Sequence, residues 1–206
     1  VVEDAPCQEI IIEGIELDKP GNGLDGLPIP ISTPGWDNAP YLTALGYQTK
    51  DPETGIHNLG TYRAQVKTPR RLGINTSTES RNGGYMHWLK YKKRGEKMPA
   101  AYVIGGPPSV AYVGMCKFPE AIDEIAVAGG LVGSPINIVR CRTVDLFVPA
   151  EAEIVVEGFV DTKYLEPEAP FGESHGYVNT QEFNGFMEVT AITRRKNAVL
   201  MSYLSQ

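Results

Sequence analysis

Short runs of branched and aromatic residues, separated at irregular intervals by turn-forming residues, constrain the fold of this chain most strongly. Such runs occupy residues 136–139, 153–160, 186–192 and 198–204, and their composition predicts strands. The predicted strands outnumber the predicted helices, and the two do not alternate as they do in a doubly wound sheet. The pattern therefore predicts a β-rich α+β fold, a β-barrel with a few flanking helices.

Two segments have helical length and composition. Residues 84–94 contain no interior glycine or proline, and Gly95 is placed to end a helix there. A second helix is predicted for residues 122–131. Between them, residues 99–104 form a short apolar run that is stopped by Gly105-Gly106-Pro107-Pro108, which predicts a buried strand followed by a tight turn.

The chain changes character near residue 61. The first sixty residues are dense in turn formers, whereas from Thr61 apolar residues alternate with Arg63, Gln65 and Lys67. Alternation with period 2 predicts a strand that holds Arg63 and Gln65 on one side. We therefore expect a loop-rich lead-in at 1–60 and a strand-rich barrel domain at 61–206.

Charge and composition narrow the function classes. The formal net charge of −6 argues against a protein that binds a polyanion, and the basic stretch at 90–97 fits a helix end that faces water. No apolar run approaches the roughly 18 residues of a membrane span. The three cysteines, Cys7, Cys116 and Cys141, form no C-x-x-C pair, which favours a reducing cytoplasm. We expect no nucleic-acid or membrane partner.

Two carboxylates five positions apart stand in the segment Glu168-Ala169-Pro170-Phe171-Gly172-Glu173. Proline restricts the backbone between them, so the pair could be rigid and one acid could donate a proton if its pKa is raised by burial or by the other. A surface turn with two solvated acids is the alternative.

The segment 58–63 is a second candidate site. It offers the Asn58 amide, a glycine at Gly60 that lets a ligand approach the backbone, and Arg63, whose guanidinium suits a carboxylate. The alternative is an arginine on an edge strand in a surface ion pair. Asn58 and Glu124 could also hold one hard cation.

Other common signatures are absent from the sequence. The three histidines, His57, His87 and His175, lack the spacing of a zinc site. There is no dinucleotide fingerprint, no P-loop and no nucleophile elbow. The residues alone thus indicate an acidic, β-rich domain with a possible site of Arg63, Glu168 and Glu173.

Several segments occur in the order found in one enzyme family. They are LPIP at 27–30, DPETG at 51–55, NLGTYR at 58–63, MHW at 86–88, GEKMP at 95–99, GGLVG at 129–133, DLFVPAEAEIVVEG at 145–158 and EAPFGESHGY at 168–177. Their joint order resembles the UbiD-like decarboxylases.

This resemblance implies a split β-barrel of the flavin-binding type that carries prenylated FMN. It also implies reversible, non-oxidative decarboxylation of an aromatic acid, for which we expect a hydroxybenzoate-like substrate and CO2. Arg63, Glu168 and Glu173 match the family's catalytic residues: Glu173 would supply the proton, and Arg63, oriented by Glu168, would hold the substrate carboxylate. A flavin prenyltransferase would supply the cofactor.

The resemblance also implies a set of cofactor-binding residues, namely Asn58, Leu59, Gly60, Thr61, Arg63, Ser80, Arg81, Gly114, Met115, Cys116, Lys117 and Glu124. Asn58 and Glu124 match ligands of Mn²⁺ or Mg²⁺ at the flavin phosphate, with K⁺ nearby. The third family ligand is a histidine, and Arg81 stands at its position, so Arg81 is expected to bind the phosphate directly. Ala169 replaces a common glycine and should be tolerated unless it needs a positive φ.

Members of this family are longer than this chain. The start at Val1-Val2 without methionine and the expected absence of a C-terminal domain, which would mediate oligomerisation and close over the substrate, indicate a fragment with little activity of its own. The full-length parent is expected to be a homo-oligomer. A non-catalytic FMN-binding module and a flavin oxidoreductase remain alternatives.

Overall fold

Strands dominate the structure, a computed structural model that describes residues 1–75 and 82–204. The strands are β1 Ile10–Glu13, β2 Tyr41–Leu42, β3 Leu45–Lys50, β4 His57–Gly60, β5 Ala64–Thr68, β6 Arg71–Ile74, β7 Met98–Ile104, β8 Ile138–Arg140, β9 Phe147–Pro149, β10 Ile154–Val160, β11 Glu166–Glu168, β12 Phe171–Gly172, β13 Val178–Asn179 and β14 Glu182–Arg194. The α-helices are α1 Gly83–Arg94, α2 Pro108–Gly114 and α3 Glu124–Val132, and 3-10 helices lie at Pro6–Gln8, Gly14–Asp18 and Leu24–Gly26.

Most strands belong to one 10-stranded antiparallel sheet. Its path runs β2-β5-β6-β14-β10-β7-β3-β4, and β1 and β11 pair with β14 outside this path. The long strand β14 therefore contacts β1, β6, β10 and β11 along its length. Two short hairpins, β8–β9 and β12–β13, stand apart from the sheet.

The expected β-rich α+β class is confirmed. The two ends of the path, β2 and β4, do not pair with each other in the described part of the chain, so no closed barrel is formed there. The split-barrel geometry implied by the resemblance stays a prediction. None of the described helices is both long and apolar enough to cross a membrane.

Both faces of the sheet are covered, as β7 shows. Met98, Tyr102 and Ile104 pack into one hydrophobic core, while Ala101 and Val103 pack into a second core on the other face. A strand with two buried faces needs apolar residues at every position. This explains why residues 99–104 form an uninterrupted apolar run.

The two predicted helices are present, with small shifts at their starts. The Asn82 side chain caps α1 by accepting a hydrogen bond from Tyr85 N at 2.8 Å, and Gly95 ends the helix with φ 72°. Helix α3 begins at Glu124, two positions later than predicted, because Asp123 accepts from Ile125 N at 2.8 Å and acts as the N-cap.

Several expectations were wrong. Helix α2 follows the glycine-proline turn and was not predicted; Pro108 occupies its first turn, where a missing N–H costs nothing. Residues 198–204 form no strand: Thr43 Oγ1 accepts from Tyr203 N at 2.8 Å and donates to Tyr203 O at 3.0 Å, so a side chain holds this backbone. Strand β5 begins at Ala64, after Arg63.

The boundary expected after residue 60 does not coincide with a break in the sheet. Strands β1, β2, β3 and β4 all lie before residue 61, and β3 pairs with β7 from the second part of the chain. The turn formers of the first sixty residues separate strands that are short, which is why no strand pattern is evident in the sequence there.

A buried histidine predicts how stability depends on pH. His87 Nδ1 is 2.9 Å from Thr49 Oγ1, and burial lowers the pKa of His87 from 6.5 to about 4. The unfolded chain takes up this proton below pH 6.5 and the folded chain does not, so the free energy of unfolding should fall as the pH drops from 6.5 to about 4, by roughly 3 kcal/mol.

Urea unfolding measured across this pH range checks the prediction. The variant His87→Gln should flatten the dependence, leaving the smaller part due to His57, whose pKa burial also lowers. His175 is exposed, and His175→Gln should keep the wild-type slope. An unchanged slope in His87→Gln would contradict the assignment.

Candidate active site

The side chain of Arg63 lies between two carboxylates. Its Nε and Nη2 donate to Oε1 and Oε2 of Glu168, both at 2.9 Å, and its Nη1 donates to Oε1 of Glu173. The Arg63 side chain is 10% exposed, that of Glu168 1% and that of Glu173 26%. Glu168 is thus a buried counter-ion, whereas Glu173 reaches the open space beside it.

Glu168 is fully satisfied in its buried position. Besides the two bonds from Arg63, its Oε2 accepts from Asn75 Nδ2 at 3.1 Å and from Asn184 Nδ2 at 3.4 Å. A buried carboxylate without such partners would cost several kcal/mol. These contacts fix the orientation of Glu168 and, through it, that of Arg63.

The charge of Arg63 is maintained by the same contacts. Burial alone would lower the pKa of the Arg63 guanidinium, but the hydrogen bonds and charge of Glu168, followed by the charge of Glu173, leave the pKa above its usual value. Arg63 is therefore a permanent cation that faces the cleft.

Glu173 lies in the turn of the β12–β13 hairpin. The hairpin is closed by Glu173 N donating to Tyr177 O at 2.8 Å and by Gly176 N donating to Glu173 O at 3.0 Å. From strand β13, Asn179 Nδ2 donates to Glu173 Oε1 at 2.6 Å. Arg63 and Asn179 therefore both bind the same oxygen of the Glu173 carboxylate.

Side chains from one short segment hold the backbone between the two acids. Ala169 donates its N–H to the Tyr41 hydroxyl at 3.1 Å, and its carbonyl accepts from Asn38 Nδ2 at 3.2 Å. Gly172 N donates to Asp37 Oδ1 at 2.8 Å. Residues 37–41 therefore fix the backbone on which both Glu168 and Glu173 are mounted.

An aromatic pair extends this support to Arg63. The rings of Tyr41 and Phe171 have centroids 4.6 Å apart, and Arg63 Cζ lies 4.7 Å from the centroid of Phe171. Burial, aided by the charge of Glu168, raises the pKa of Tyr41, so its hydroxyl stays neutral. The guanidinium therefore lies over the face of the Phe171 ring, which attracts the cation.

A cleft with three arms opens at this site. The glycine arm, about 470 Å³, is lined by Asn58, Leu59, Gly60, Thr61, Tyr62, Asn82, Gly83, Gly114, Met115, Cys116, Lys117, Phe118, Glu120 and Glu124. The acid arm, about 690 Å³, contains Arg63 and Glu173 together with Thr43, Asn75, Phe171, Ser174, Tyr203 and Leu204.

The apolar arm, about 290 Å³, lies between β3 and α2 and is lined by residues that include Leu45, Val103, Val110 and Tyr112. Thr61 and Met115 line all three arms, so the arms are parts of one continuous cleft. Its dimensions are those of cofactor and ligand sites in general.

Two backbone contacts position the glycine arm. Thr61 N donates to Gly114 O at 3.0 Å, which ties the loop before β5 to the end of α2. Leu59 N donates to Glu124 Oε2 at 2.9 Å, which ties β4 to the start of α3. Leu59 also packs with Val110 and other apolar residues of α2 and α3 in a small core.

The glycine arm fits a phosphate-bearing cofactor. Asn58 Nδ2 is buried and makes no hydrogen bond to the residues that the structure describes. A Cβ on Gly83 would lie 1.8 Å from Asn58 Oδ1, so only glycine permits this close approach. Uncommitted amide hydrogens beside exposed backbone are the donors that a phosphate requires.

The same arm has few ligands for a divalent cation. Glu124 is buried, and this burial raises its pKa although the Leu59 N–H opposes the shift. Oxygens of Glu124 and Asn58 suit a hard cation. However, no group of three or more histidine, cysteine, aspartate or glutamate side chains occurs within residues 1–75 and 82–204.

The structure brings most of the expected residues together. Arg63 and Glu173 line the acid arm, and Glu168 lies behind Arg63. The remaining expected residues that line the glycine arm are Asn58, Leu59, Gly60, Thr61, Gly114, Met115, Cys116, Lys117 and Glu124. Ser80 and Arg81 lie outside the described residues.

Sequence reasoning missed the residues that hold the acids in place. Asn75, Asp37 and Tyr41 are far from the acids along the chain, and Asn184 follows Glu168 by 16 positions. None of them stands at a motif spacing. Asn179 is six residues from Glu173, which is close enough to mark it as part of the same hairpin.

The fold and the site together define a β-rich domain that holds a buried arginine-carboxylate cluster at one end of a cofactor-sized cleft. Residues 1–205 match the family described as UbiD, 3-octaprenyl-4-hydroxybenzoate carboxy-lyase, in its Rift-related domain. The chain belongs to this family.

Solved structures agree with this assignment. The chain resembles the UbiD-class enzyme HmfF from Pelotomaculum thermopropionicum, in an evolved dimeric form with prFMN, at TM-score 0.89 and 33% identity, covering 97% of this chain and 45% of that one. It resembles the closed form of vanillic acid decarboxylase from Sedimentibacter hydroxybenzoicus at TM-score 0.88 and 30% identity, covering 98% of this chain and 42% of that one.

A curated relative from Aquifex aeolicus is 36% identical over 203 residues, which are 98% of this chain and 40% of the relative. The chain thus spans less than half the length of each of these three proteins.

The backbone at Ala169 generates a prediction on stability. Ala169 has φ 74°, the only positive φ of a non-glycine residue in the part of the chain that the structure describes. Alanine is therefore unfavourable at this position, because a positive φ destabilises an L-residue by about 1–2 kcal/mol.

Ala169→Gly should raise the free energy of unfolding by about 0.5–1 kcal/mol, the relief of strain less the added entropy of the unfolded chain. Chemical denaturation measures this change. Ala101→Gly in β7, where no positive φ is needed, should lower stability instead. A loss of stability in both variants would show that Ala169 is not strained.

Proposed function

We propose that this chain is the flavin-binding catalytic part of a reversible, non-oxidative decarboxylase that acts on an aromatic, hydroxybenzoate-like acid. The observation that carries the proposal is Arg63, held between Glu168 and Glu173 where the acid arm meets the glycine arm. A cation fixed beside an acid in a cleft is the minimum needed to hold a carboxylate and return a proton after CO2 has left.

Arg63 retains donors for a substrate carboxylate. A guanidinium has five N–H groups; one at Nε and one at Nη2 are used on Glu168, and one at Nη1 is used on Glu173. Among the described residues, no acceptor binds the second N–H of Nη1 or of Nη2. These two hydrogens could bind a carboxylate in the acid arm in bidentate fashion.

Glu173 is the proton donor in this proposal. It lines the acid arm and is partly exposed, whereas Glu168 is buried and bound on both oxygens. Glu168 therefore acts as the positioning residue for Arg63. Of these two acids, only Glu173 lines the acid arm and has an oxygen, Oε2, that none of the described residues binds.

Prenylated FMN is the cofactor proposed for the glycine arm. When bound, it supplies an electron sink for cleavage of the bond to CO2. Asn58 would hold it, in the space between Gly60, Thr61 and Gly114, with Met115, Cys116 and Lys117 along the same wall. A similar solved enzyme carries prFMN, and a flavin prenyltransferase would make the cofactor here.

A divalent cation, Mn²⁺ or Mg²⁺, with K⁺ nearby, remains part of the proposal. Asn58 and Glu124 are its protein ligands. Support comes from the side chains of Asn58 and Glu124, which carry oxygens and line the same arm. Direct binding of the phosphate by Arg81 would replace the missing histidine.

The lining of the acid arm supports a hydroxylated aromatic substrate. Phe171, Tyr203 and Leu204 supply apolar surface for a ring, and Thr43, Asn75 and Ser174 supply hydrogen-bonding groups. A similar enzyme is named for vanillic acid, a substituted benzoic acid. The same balance of surfaces is required for a hydroxybenzoate.

Setting and assembly complete the proposal. Cys7, Cys116 and Cys141 are free, which fits a reducing cytoplasm. We propose that the protein at its full length is a homo-oligomer, and that the open sheet is of the split-barrel type. The part described here would have little activity by itself, because closure of a site normally completes it and excludes water.

The test uses the protein at its full length, expressed together with a flavin prenyltransferase. Mass spectrometry of the released cofactor should give prenylated FMN, and a panel of hydroxybenzoates should show CO2 release and hydrogen-deuterium exchange at the carbon that loses CO2. Unmodified FMN that is reduced by a nicotinamide cofactor, with no exchange from any acid, would favour the flavin oxidoreductase. Bound FMN without either reaction would favour the non-catalytic module.

Substitution of Glu173 tests its role. Glu173→Gln keeps the acceptor oxygen but removes the transferable proton, so the rate of CO2 release should fall by at least about 10²-fold while flavin binding is retained. Steady-state kinetics and the flavin absorption spectrum measure the two properties. Glu3 is exposed, and Glu3→Gln should match the wild type. Undiminished turnover in Glu173→Gln would remove Glu173 from the reaction.

A further inference from the structure

The two oxygens of Glu173 are not equivalent. Oε1 accepts two hydrogen bonds, one from Arg63 Nη1 and one from Asn179 Nδ2 at 2.6 Å. Oε2 makes no hydrogen bond within residues 1–75 and 82–204. The carboxyl group therefore has one bound oxygen and one that is open to the acid arm.

The two donors decide where a proton can reside. Arg63 and Asn179 both present N–H groups to Oε1, and an O–H on that oxygen would point its hydrogen at theirs. In the acid form, Oε1 is therefore the carbonyl oxygen and Oε2 carries the hydrogen. Glu173 is partly exposed and lines the arm in which the substrate carbon would lie, so Oε2 is also the accessible atom.

We propose that Asn179 is a positioning residue which, together with Arg63, commits Oε1 of Glu173 to accepting hydrogen bonds and so makes Oε2 the atom that delivers the proton. This inference rests on the proposed function, and it assigns the transfer of the proton to one oxygen atom of Glu173.

The transfer of the proton from Glu173 to the substrate carbon balances in bonds and charge. The Oε2–H bond breaks and a C–H bond forms at the substrate carbon that has lost CO2. The negative charge left on Glu173 is shared with Oε1, where two N–H groups already stabilise it. A proton from solvent then returns to Oε2, and the same path runs backwards for exchange of the product hydrogen.

The hairpin does not need the Asn179 side chain for its own closure. Its backbone is held by the pairing of Phe171 with Asn179 and of Gly172 with Val178, and by the two turn bonds at Glu173. The Asn179 amide contributes only the bond to Glu173 among the hydrogen bonds of the described residues. Its removal should therefore affect the carboxyl group more than the fold.

The experiment measures proton transfer separately from substrate binding, in the full-length protein loaded with prenylated FMN. Asn179→Leu keeps the size of the side chain but removes the donor. We expect exchange of the product hydrogen for deuterium to slow by about 10-fold, the loss of one hydrogen bond to a charged group. The solvent isotope effect on CO2 release should rise, while KM and the flavin spectrum stay as in the wild type.

Two further variants make the result decisive. Asn179→Asp keeps the size and presents an acceptor to Oε1, so it should slow exchange more than Asn179→Leu, and it replaces that variant if the leucine impairs folding or flavin binding. Thr180 is the exposed next residue, and Thr180→Val should leave exchange and isotope effect unchanged.

The outcomes separate this inference from the proposal on which it rests. If the wild type exchanges the product hydrogen but Asn179→Leu and Asn179→Asp do so at the wild-type rate with an unchanged isotope effect, the role of Asn179 is overturned and the decarboxylase proposal stands. If the wild type exchanges no hydrogen with any acid tested, the proposed function fails and the inference fails with it.

Discussion

A buried guanidinium needs compensating charge, and the pairing of Arg63 with Glu168 is the interaction on which the site depends. Arg63 precedes β5, and Glu168 ends β11. The order of the sheet joins these strands, because β5 pairs with β6, β6 with β14 and β14 with β11. The ion pair is thus placed by the ladder of the sheet and not by a flexible loop, which gives the guanidinium a fixed direction in the cleft.

The second acid is supported in a different way. Glu173 is carried by a two-stranded hairpin outside the main sheet, and side chains of residues 37–41 anchor the segment that leads to it. One carboxylate is therefore rigid and buried, and the other is held at only one oxygen. This difference would allow two chemically identical groups to serve as the counter-ion and as the proposed proton donor.

The sequence predicted the parts of the structure that rest on local patterns. The helix that ends at Gly95 and the apolar strand at β7 were recognised because capping and burial leave a local signature. The acid pair and Arg63 were identified as candidates by their chemistry. The resemblance to a family then favoured a functional site over the alternatives, which were a solvated surface turn and a surface ion pair. The roles of these residues stay predictions.

The contacts that could not be predicted form only when separate strands pair in the folded sheet. Asn184 reaches Glu168 because β14 pairs with β11, and Asn75 reaches it because β6 pairs with β14. No spacing in the sequence shows these pairings. Residues 198–204 have the composition of a strand, yet Thr43 and not a neighbouring strand binds their backbone. Helix α2 was not predicted because Pro108, its first residue, and Pro107, its N-cap, were interpreted as part of a turn.

Thr61 and Met115 border all three arms of the cleft. A change in the size of either side chain would therefore alter the glycine arm and the acid arm together. Thr43 and Ser174 border the acid arm but not the glycine arm. Substitutions at these two peripheral positions would reshape the acid arm and leave the glycine arm as it is.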